Sequence, residues 1–190
     1  MNIAVYLGAN EGNLPIYKER AAELGRWIGE NGHRLIYGGS KCGLMGVLAQ
    51  QALKHGAEVI GVEPVFFVEE EIQLEGLTQL IVTDNMRERK ARMIELAEVF
   101  IAFPGGTGTA EEIAEVISAG SLGHLQGIYG YYNVNGYYEF ARNGYDQMVS
   151  QGFLSPESRE KIRFWNTVYE IAEAIKVLSN KQHMNQFCNL

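Results

Sequence analysis

Two rhythms of apolar and polar residues alternate along the chain. Short continuous apolar runs give way to longer stretches whose apolar residues recur every three or four positions. The first run, Asn2 to Leu7 (NIAVYL), predicts a strand buried on both faces. Pro15 to Glu30 predicts a helix with Tyr17, Ala21, Leu24 and Ile28 as its stripe, opened by Pro15 and ended by Gly32. Arg34 to Tyr37 (RLIY) is a second strand, running into Gly38, Gly39 and Ser40. Leu44 to His55 is a helix closed by Gly56, and Glu58 to Val62 a strand stopped by Pro64. Val65 to Gly76 fits a loop with a short acidic helix. Beyond it come a strand at Gln79 to Thr83, a helix at Met86 to Glu98 and a strand at Val99 to Phe103. A helix over Thr109 to Ser121 is followed by a Tyr-rich strand at Gly127 to Val134. A helix at Tyr137 to Gln151, a short strand at Lys161 to Phe164 and a helix at Val168 to Leu178 complete the pattern.

Strands alternating with helices of this length imply βαβ units and a parallel sheet, an α/β fold. No repeat or linker divides the chain, so residues 1–180 read as one domain and 181–190 as a tail. In open parallel sheets ligands sit beyond the C-terminal ends of the strands. That singles out the turns after the first, second, fourth and fifth strands.

Composition excludes several functions. A net charge of −7 disfavours a sheath of contacts to nucleic acid. No apolar run approaches the roughly 18 residues of a membrane span. The opening MNIAVYLG lacks the basic region of a signal peptide. The two cysteines, Cys42 and Cys188, are far apart and outside any CxxC pair, which fits a reduced, cytoplasmic setting without structural zinc. His33, His55, His124 and His183 show no metal-ligand spacing.

Three segments carry candidate chemistry. The turn Pro104-Gly105-Gly106-Thr107-Gly108-Thr109-Ala110-Glu111-Glu112 joins a buried strand to a helix. Glycines let a ligand approach the backbone, Thr109 is placed to cap the helix, and unpaired N–H groups at a helix start suit a phosphate. The turn around Gly38, Gly39 and Ser40 also follows a strand and opens a helix. Two such turns at adjacent strand ends can hold the two ends of one small ligand. Neither is a P-loop nor a dinucleotide fingerprint. The third segment is Met86-Arg87-Glu88-Arg89-Lys90-Ala91-Arg92-Met93, where Met86, Arg89, Lys90 and Met93 share one helix face. A cation pair between methionines suits a pocket wall that holds an anion and packs an apolar ring. A solvated basic face is the plainer alternative. Glu111, Glu112 and Glu115 lie beside the phosphate-like turn. Acids there are often only dipole partners, yet they repel the expected guest, which points to work on sugar hydroxyls or water.

Taken together, PGGTGTAEE at 104–112, YGGSKCGLMG at 37–46 and MRERKARM at 86–93 resemble the LONELY GUY family of phosphoribohydrolases, long labelled possible lysine decarboxylases. The resemblance spans residues 2–153. It implies a Rossmann-like doubly wound parallel sheet with helices on both faces, assembled as a homodimer. It implies hydrolysis of the N-glycosidic bond of AMP or N6-substituted AMP to free base and ribose 5-phosphate, without metal or organic cofactor. The catalytic pair falls on Arg89 and Glu112. Substrate contacts fall on Glu71, Arg89, Lys90, the stretch Gly106 to Glu112, and Ser118, where many members have Thr. Ile113, Val116 and Ile117 offer an apolar face for a two-fold contact.

The sequence departs from the family at Arg87, usually His, and over Ile117 to Gly123, which commonly reads ITWAQLG. Leu125 to Ile128 also differs. These changes bear on the base pocket and dimer contact rather than on the catalytic pair. Cleavage at C1′ develops oxocarbenium character, which a carboxylate at Glu112 can stabilise. Arg89 is too weak an acid to donate its proton, so phosphate binding or orientation of Glu112 is its expected task. The alternative is a non-catalytic nucleotide or cofactor carrier on the same scaffold. A pyridoxal phosphate decarboxylase lacks a lysine in Schiff-base context, since Lys18, Lys54, Lys161 and Lys176 lie in helix-like or tail segments.

Overall fold

The apolar runs become strands, the central ones covered on both faces and the edge strand at Gln79–Thr83 half-exposed. In the computed structural model they are β1 (Asn2–Tyr6), β2 (Arg34–Tyr37), β3 (Val59–Pro64), β4 (Gln79–Thr83), β5 (Val99–Ala102), β6 (Ile128–Tyr132) and β7 (Ile162–Trp165). The structure describes the backbone of residues 1–70 and 72–188, and the side chains of residues 1–70 and 72–180. All strand pairs are parallel, in the order β4-β3-β2-β1-β5-β6-β7. The helices between them are α1 (Pro15–Glu30), α2 (Gly43–Lys54), α3 (Val65–Glu69), α4 (Met86–Leu96), α5 (Thr107–Ser121), α6 (Glu139–Ser150), α7 (Pro156–Lys161) and α8 (Val168–Cys188).

Alternate residues of each strand feed two cores. Ile3, Val5, Val99 and Ile101 pack against Leu24 and Ile28 of α1, Leu48 and Ala52 of α2, and Ile171 and Ile175 of α8. Ala4, Tyr6, Phe100 and Ala102 pack against Met93 of α4 and Ile113, Val116 and Ile117 of α5. Helices therefore cover both faces, as the doubly wound expectation requires. The last three residues correct the expected two-fold face: they are buried in the chain's own core and cannot serve a contact between copies.

Other boundaries move for physical reasons. β3 runs two residues past the expected end, because β4 continues to pair with it through Glu63↔Val82 and Pro64↔Thr83. Pro64 is its last residue rather than a barrier before it. α5 begins at Thr107, not Thr109, with Gly106 as its N-cap and no side-chain cap. α8 continues to Cys188, beyond the expected end at Leu178 and through most of the expected tail. Among the described residues no helix is long and apolar enough to cross a membrane.

The tightest helix crossing joins α1 to α2. A Cβ at Gly25 would strike the carbonyl oxygen of Leu48 and lie 3.2 Å from the Ala52 nitrogen, both backbone atoms of α2. Backbone cannot step aside as a flexible side chain can. Gly25→Ala is expected to cost about 1–3 kcal/mol despite alanine's better helix propensity. Urea unfolding checks this as a lowered midpoint with unchanged slope.

Candidate active site

The chain winds outward from β1 to β4, then returns to place β5 beside β1. Connections leave these two strands in opposite directions, which opens a crevice at their C-terminal ends. A cavity of about 400 Å³ occupies it. Tyr6, Leu7 and Gly8 from the end of β1 and the Pro104–Thr109 turn after β5 line it, and the Gly8 N–H donates to the Pro104 carbonyl at 3.2 Å.

α4 supplies one wall. Its start is fixed by Asn85, whose side chain accepts from the Glu88 N–H at 3.0 Å, while the Glu88 carboxylate accepts from the Asp84 N–H at 2.9 Å. This sets Arg89 one turn into the helix, aimed across the sheet ends. Its Nε donates to the Val62 carbonyl at 2.8 Å and its Nη1 to Glu112 Oε1 at 2.6 Å. Both side chains of this ion pair are 10% exposed. The second Gly-rich turn passes directly over Arg89: a Cβ at Gly38 would lie 2.5 Å from its Nη2 and 2.8 Å from Met45 Sδ.

The other wall is the start of α5. Its first N–H groups have no intrahelical partner, and the helix dipole adds positive potential there. Gly105 is required by packing, since a Cβ would strike Thr109 Oγ1 and lie 2.9 Å from the Gly8 nitrogen. Gly106 and Gly108 have nothing within 4 Å of an added Cβ. Packing does not demand those two glycines, and they leave the cavity rim open. Glu112 sits one turn in, its carboxyl pushed above the ordinary carboxylate value by burial, a shift opposed by the Arg89 charge and hydrogen bond. Lys90 is bound by Glu111 at 2.6 Å and Glu115 at 3.0 Å. Those hydrogen bonds, Glu111's first, hold it above the ordinary lysine value and keep it charged.

The crevice thus collects most of the residues singled out in the sequence. Met86, Arg89, Lys90 and Met93 all line it, so the four-residue face of α4 is a pocket wall. Gly105, Gly106, Thr107, Gly108, Thr109, Glu111 and Glu112 line it as well. Four others stand away from the lining. Gly39 turns toward Glu63, and buried Ser40 accepts from the Cys42 N–H at 3.0 Å. Ala110 and Ser118 are exposed on the opposite side of α5. Glu71 lies outside the described residues. The residues not foreseen are aromatic. Buried Tyr6 forms part of the floor, and burial together with Glu112 raises its hydroxyl far above the ordinary value. Tyr137 donates to the Gly105 carbonyl at 2.6 Å, and its ring meets Tyr17 edge-on at 5.9 Å. Their signal in the sequence was position alone: Tyr6 ends β1 just before Gly8, and Tyr137 follows Gly136 in the turn after β6.

The family model described as "Possible lysine decarboxylase" matches residues 45–175. The cytokinin riboside 5′-monophosphate phosphoribohydrolases of Arabidopsis thaliana include one that is 39% identical over 160 residues, 84% of this chain and 74% of that one. A probable cytokinin riboside 5′-monophosphate phosphoribohydrolase of Oryza sativa subsp. japonica is 37% identical over 172 residues, 90% of this chain and 82% of that one. The chain belongs to the LONELY GUY family. Among solved structures, the molybdenum cofactor binding protein of Rippkaea orientalis superposes with a TM-score of 0.69 at 22% identity, covering 93% of this chain and 96% of that one. The molybdenum cofactor carrier protein of Chlamydomonas reinhardtii gives 0.69 at 22% identity, covering 95% and 98%. At that identity the likeness shows the shared Rossmann-like fold alone.

Within this LONELY GUY family crevice, Arg89 and Glu112 form one energetic unit. Arg89→Met leaves a carboxylate and the Val62 carbonyl without their donor, at an expected cost of about 3–5 kcal/mol. In the double variant Arg89→Met/Glu112→Gln the buried charge is gone, so its cost falls below the sum of the two single costs. Equilibrium unfolding of the three variants measures this coupling.

Proposed function

We propose that the protein hydrolyses the N-glycosidic bond of nucleoside 5′-monophosphates, AMP or N6-substituted AMP, releasing free base and ribose 5-phosphate. The observation that carries this reading is the buried Arg89–Glu112 pair, 2.6 Å apart, beside the open start of α5 in the same crevice. The family relationship supports it, since relatives 37% and 39% identical over the aligned residues are named as cytokinin riboside 5′-monophosphate phosphoribohydrolases.

The N–H groups of the Gly105–Thr109 turn and the positive end of α5 bind the 5′-phosphate. Lys90 adds a fixed positive charge nearby. The sugar then sits over Glu112. As the bond from C1′ to the base nitrogen lengthens, positive charge grows on the ribose, and the carboxylate stabilises it at close range in a poorly solvated site. The same carboxylate can hold a ribose hydroxyl or accept a proton from the attacking water. Arg89 keeps its proton throughout and holds Glu112 in place while anchored to Val62. Met45, Met86 and Met93, with Tyr17 and Tyr137, give the base an apolar, polarisable surround. The homodimer and cytoplasmic setting belong to this reading; the family resemblance supports the first and the cysteine pattern the second.

Chromatography of AMP and N6-substituted AMP reactions tests the proposal. The wild-type protein is expected to release base, and Glu112→Gln to lose about 10²–10⁴-fold in kcat with an unchanged circular dichroism spectrum. AMP bound without turnover by either protein would replace the hydrolase with the carrier reading.

The pH profile follows from the direction of the Glu112 shift. The carboxylate form is the active one, and burial raises the pH at which it forms. Activity is therefore lost as pH falls through that raised value. The acid limb of kcat/KM is expected at a higher pH than an exposed glutamate, near 4.3, would give.

A further inference from the structure

One buried acid plays no part in the chemistry above. Glu63 lies in β3, one residue after the Val62 carbonyl that anchors Arg89. It is 0% exposed, and among the described residues neither carboxyl oxygen has a hydrogen-bond partner. A strap of chain pairs with the turn beside it: Lys41 N–H donates to the Ile72 carbonyl, Leu74 N–H donates to the Gly39 carbonyl, and Ser40 bridges Gln73. Only the Gly38–Gly39 turn separates it from the catalytic guanidinium. A Cβ at Gly38 would lie 2.5 Å from Arg89 Nη2, and one at Gly39, where φ is +89°, 2.5 Å from Glu63 Cγ. Two glycines in sequence thus let a guanidinium and a buried carboxyl close in on one turn from its two sides.

We propose that Glu63 is a positioning residue for the Arg89–Glu112 pair: neutral, it leaves Arg89 committed to Glu112, and ionised, it draws on Arg89 across the Gly38–Gly39 turn and weakens the pair. An ionised carboxylate in this place has no donor to satisfy it, so burial favours the neutral acid. Among the described residues, the charged and titratable groups that act on it are Arg89 from α4, which favours ionisation, and Tyr37 from β2, itself pushed up by burial and by Glu63. The Tyr37 hydroxyl donates to the Gly39 carbonyl at 2.8 Å. From β4 the Thr83 hydroxyl donates to the Glu63 backbone oxygen. Burial outweighs Arg89 and pushes the carboxyl up to about 7. The change of charge thus falls near neutral pH.

The activity arm of the test rests on the phosphoribohydrolase reading, and the stability arm does not. Base release from AMP is measured against pH for wild type and Glu63→Gln, which fixes the neutral form. The wild-type kcat/KM is expected to fall on passing about pH 7, and the variant to exceed it by about threefold or more at about pH 8, with KM for AMP moving less than kcat. Superimposable profiles would overturn the proposal and leave the hydrolase reading intact. If neither protein releases base, the pH dependence of the AMP dissociation constant takes the place of kcat/KM, with the same two outcomes. Thermal unfolding is followed in parallel. The folded value lies above the unfolded one, so the wild type loses stability relative to Glu63→Gln as pH rises from about 4.3 to about 7, and the difference stays constant above that. Parallel melting curves across that range would show that Glu63 does not titrate there and would overturn the proposal without touching the reaction.

Discussion

A guanidinium and a carboxylate held together away from water are costly to assemble and more costly to separate. The Arg89–Glu112 pair imposes that condition on everything around it. Its guanidinium needs a second acceptor, and the Val62 carbonyl is available because β2 ends at Tyr37 and leaves that part of β3 without a neighbour on that side. Its helix must start at one residue, and the Asn85 cap sets it. The turn after β2 must pass over it without a side chain, and Gly38 meets that demand. Four separate segments of sequence are thereby constrained by one ion pair.

The electrostatics of the crevice reconcile an acidic protein with the anionic substrate proposed for it. The net charge of −7 is a property of the whole chain, while the field at the α5 start is local. Glu111 and Glu115 would repel a phosphate if left free. Lys90 binds both, so they serve to fix a cation at the rim. Glu112 is turned inward to Arg89. Each acid near the phosphate turn is thus matched by a base from α4, and the backbone N–H groups remain for the ligand.

The sheet was legible in the sequence because its strands leave short apolar runs, even at the half-exposed edge strand β4. RLIY and QLIVT become β2 and β4 with their expected ends. The four-residue face of α4 was legible because helical periodicity is strict. The start of α5 was not, because Thr107 and Thr109 are both suitable near a cap and only the backbone reveals Gly106 in that place. Ala110 and Ser118 fall on the outer face of α5, eight residues apart, whereas Thr109, Glu112, Ile113 and Val116 face inward. The motif stretch was read as continuous, although a helix divides it between two sides. Tyr6, Tyr17 and Tyr137 resembled core aromatics, and nothing local distinguishes a ring lining a cavity from one filling it.

Glu63 shows how a local anomaly and a tertiary one reinforce each other. A charge near the end of an otherwise apolar β3 breaks the pattern for a doubly covered parallel strand. Placed elsewhere in the sheet, such an acid would only destabilise the fold. Here it lies beside the one turn that also carries the contact to Arg89, so its charge state reaches the pair through two residues without side chains. The crevice at the β1–β5 switch point belongs to the shared fold and says little about chemistry. On the proposed reading the buried pair gives that crevice its reactivity, and the acid behind it sets the range of pH over which the pair is held.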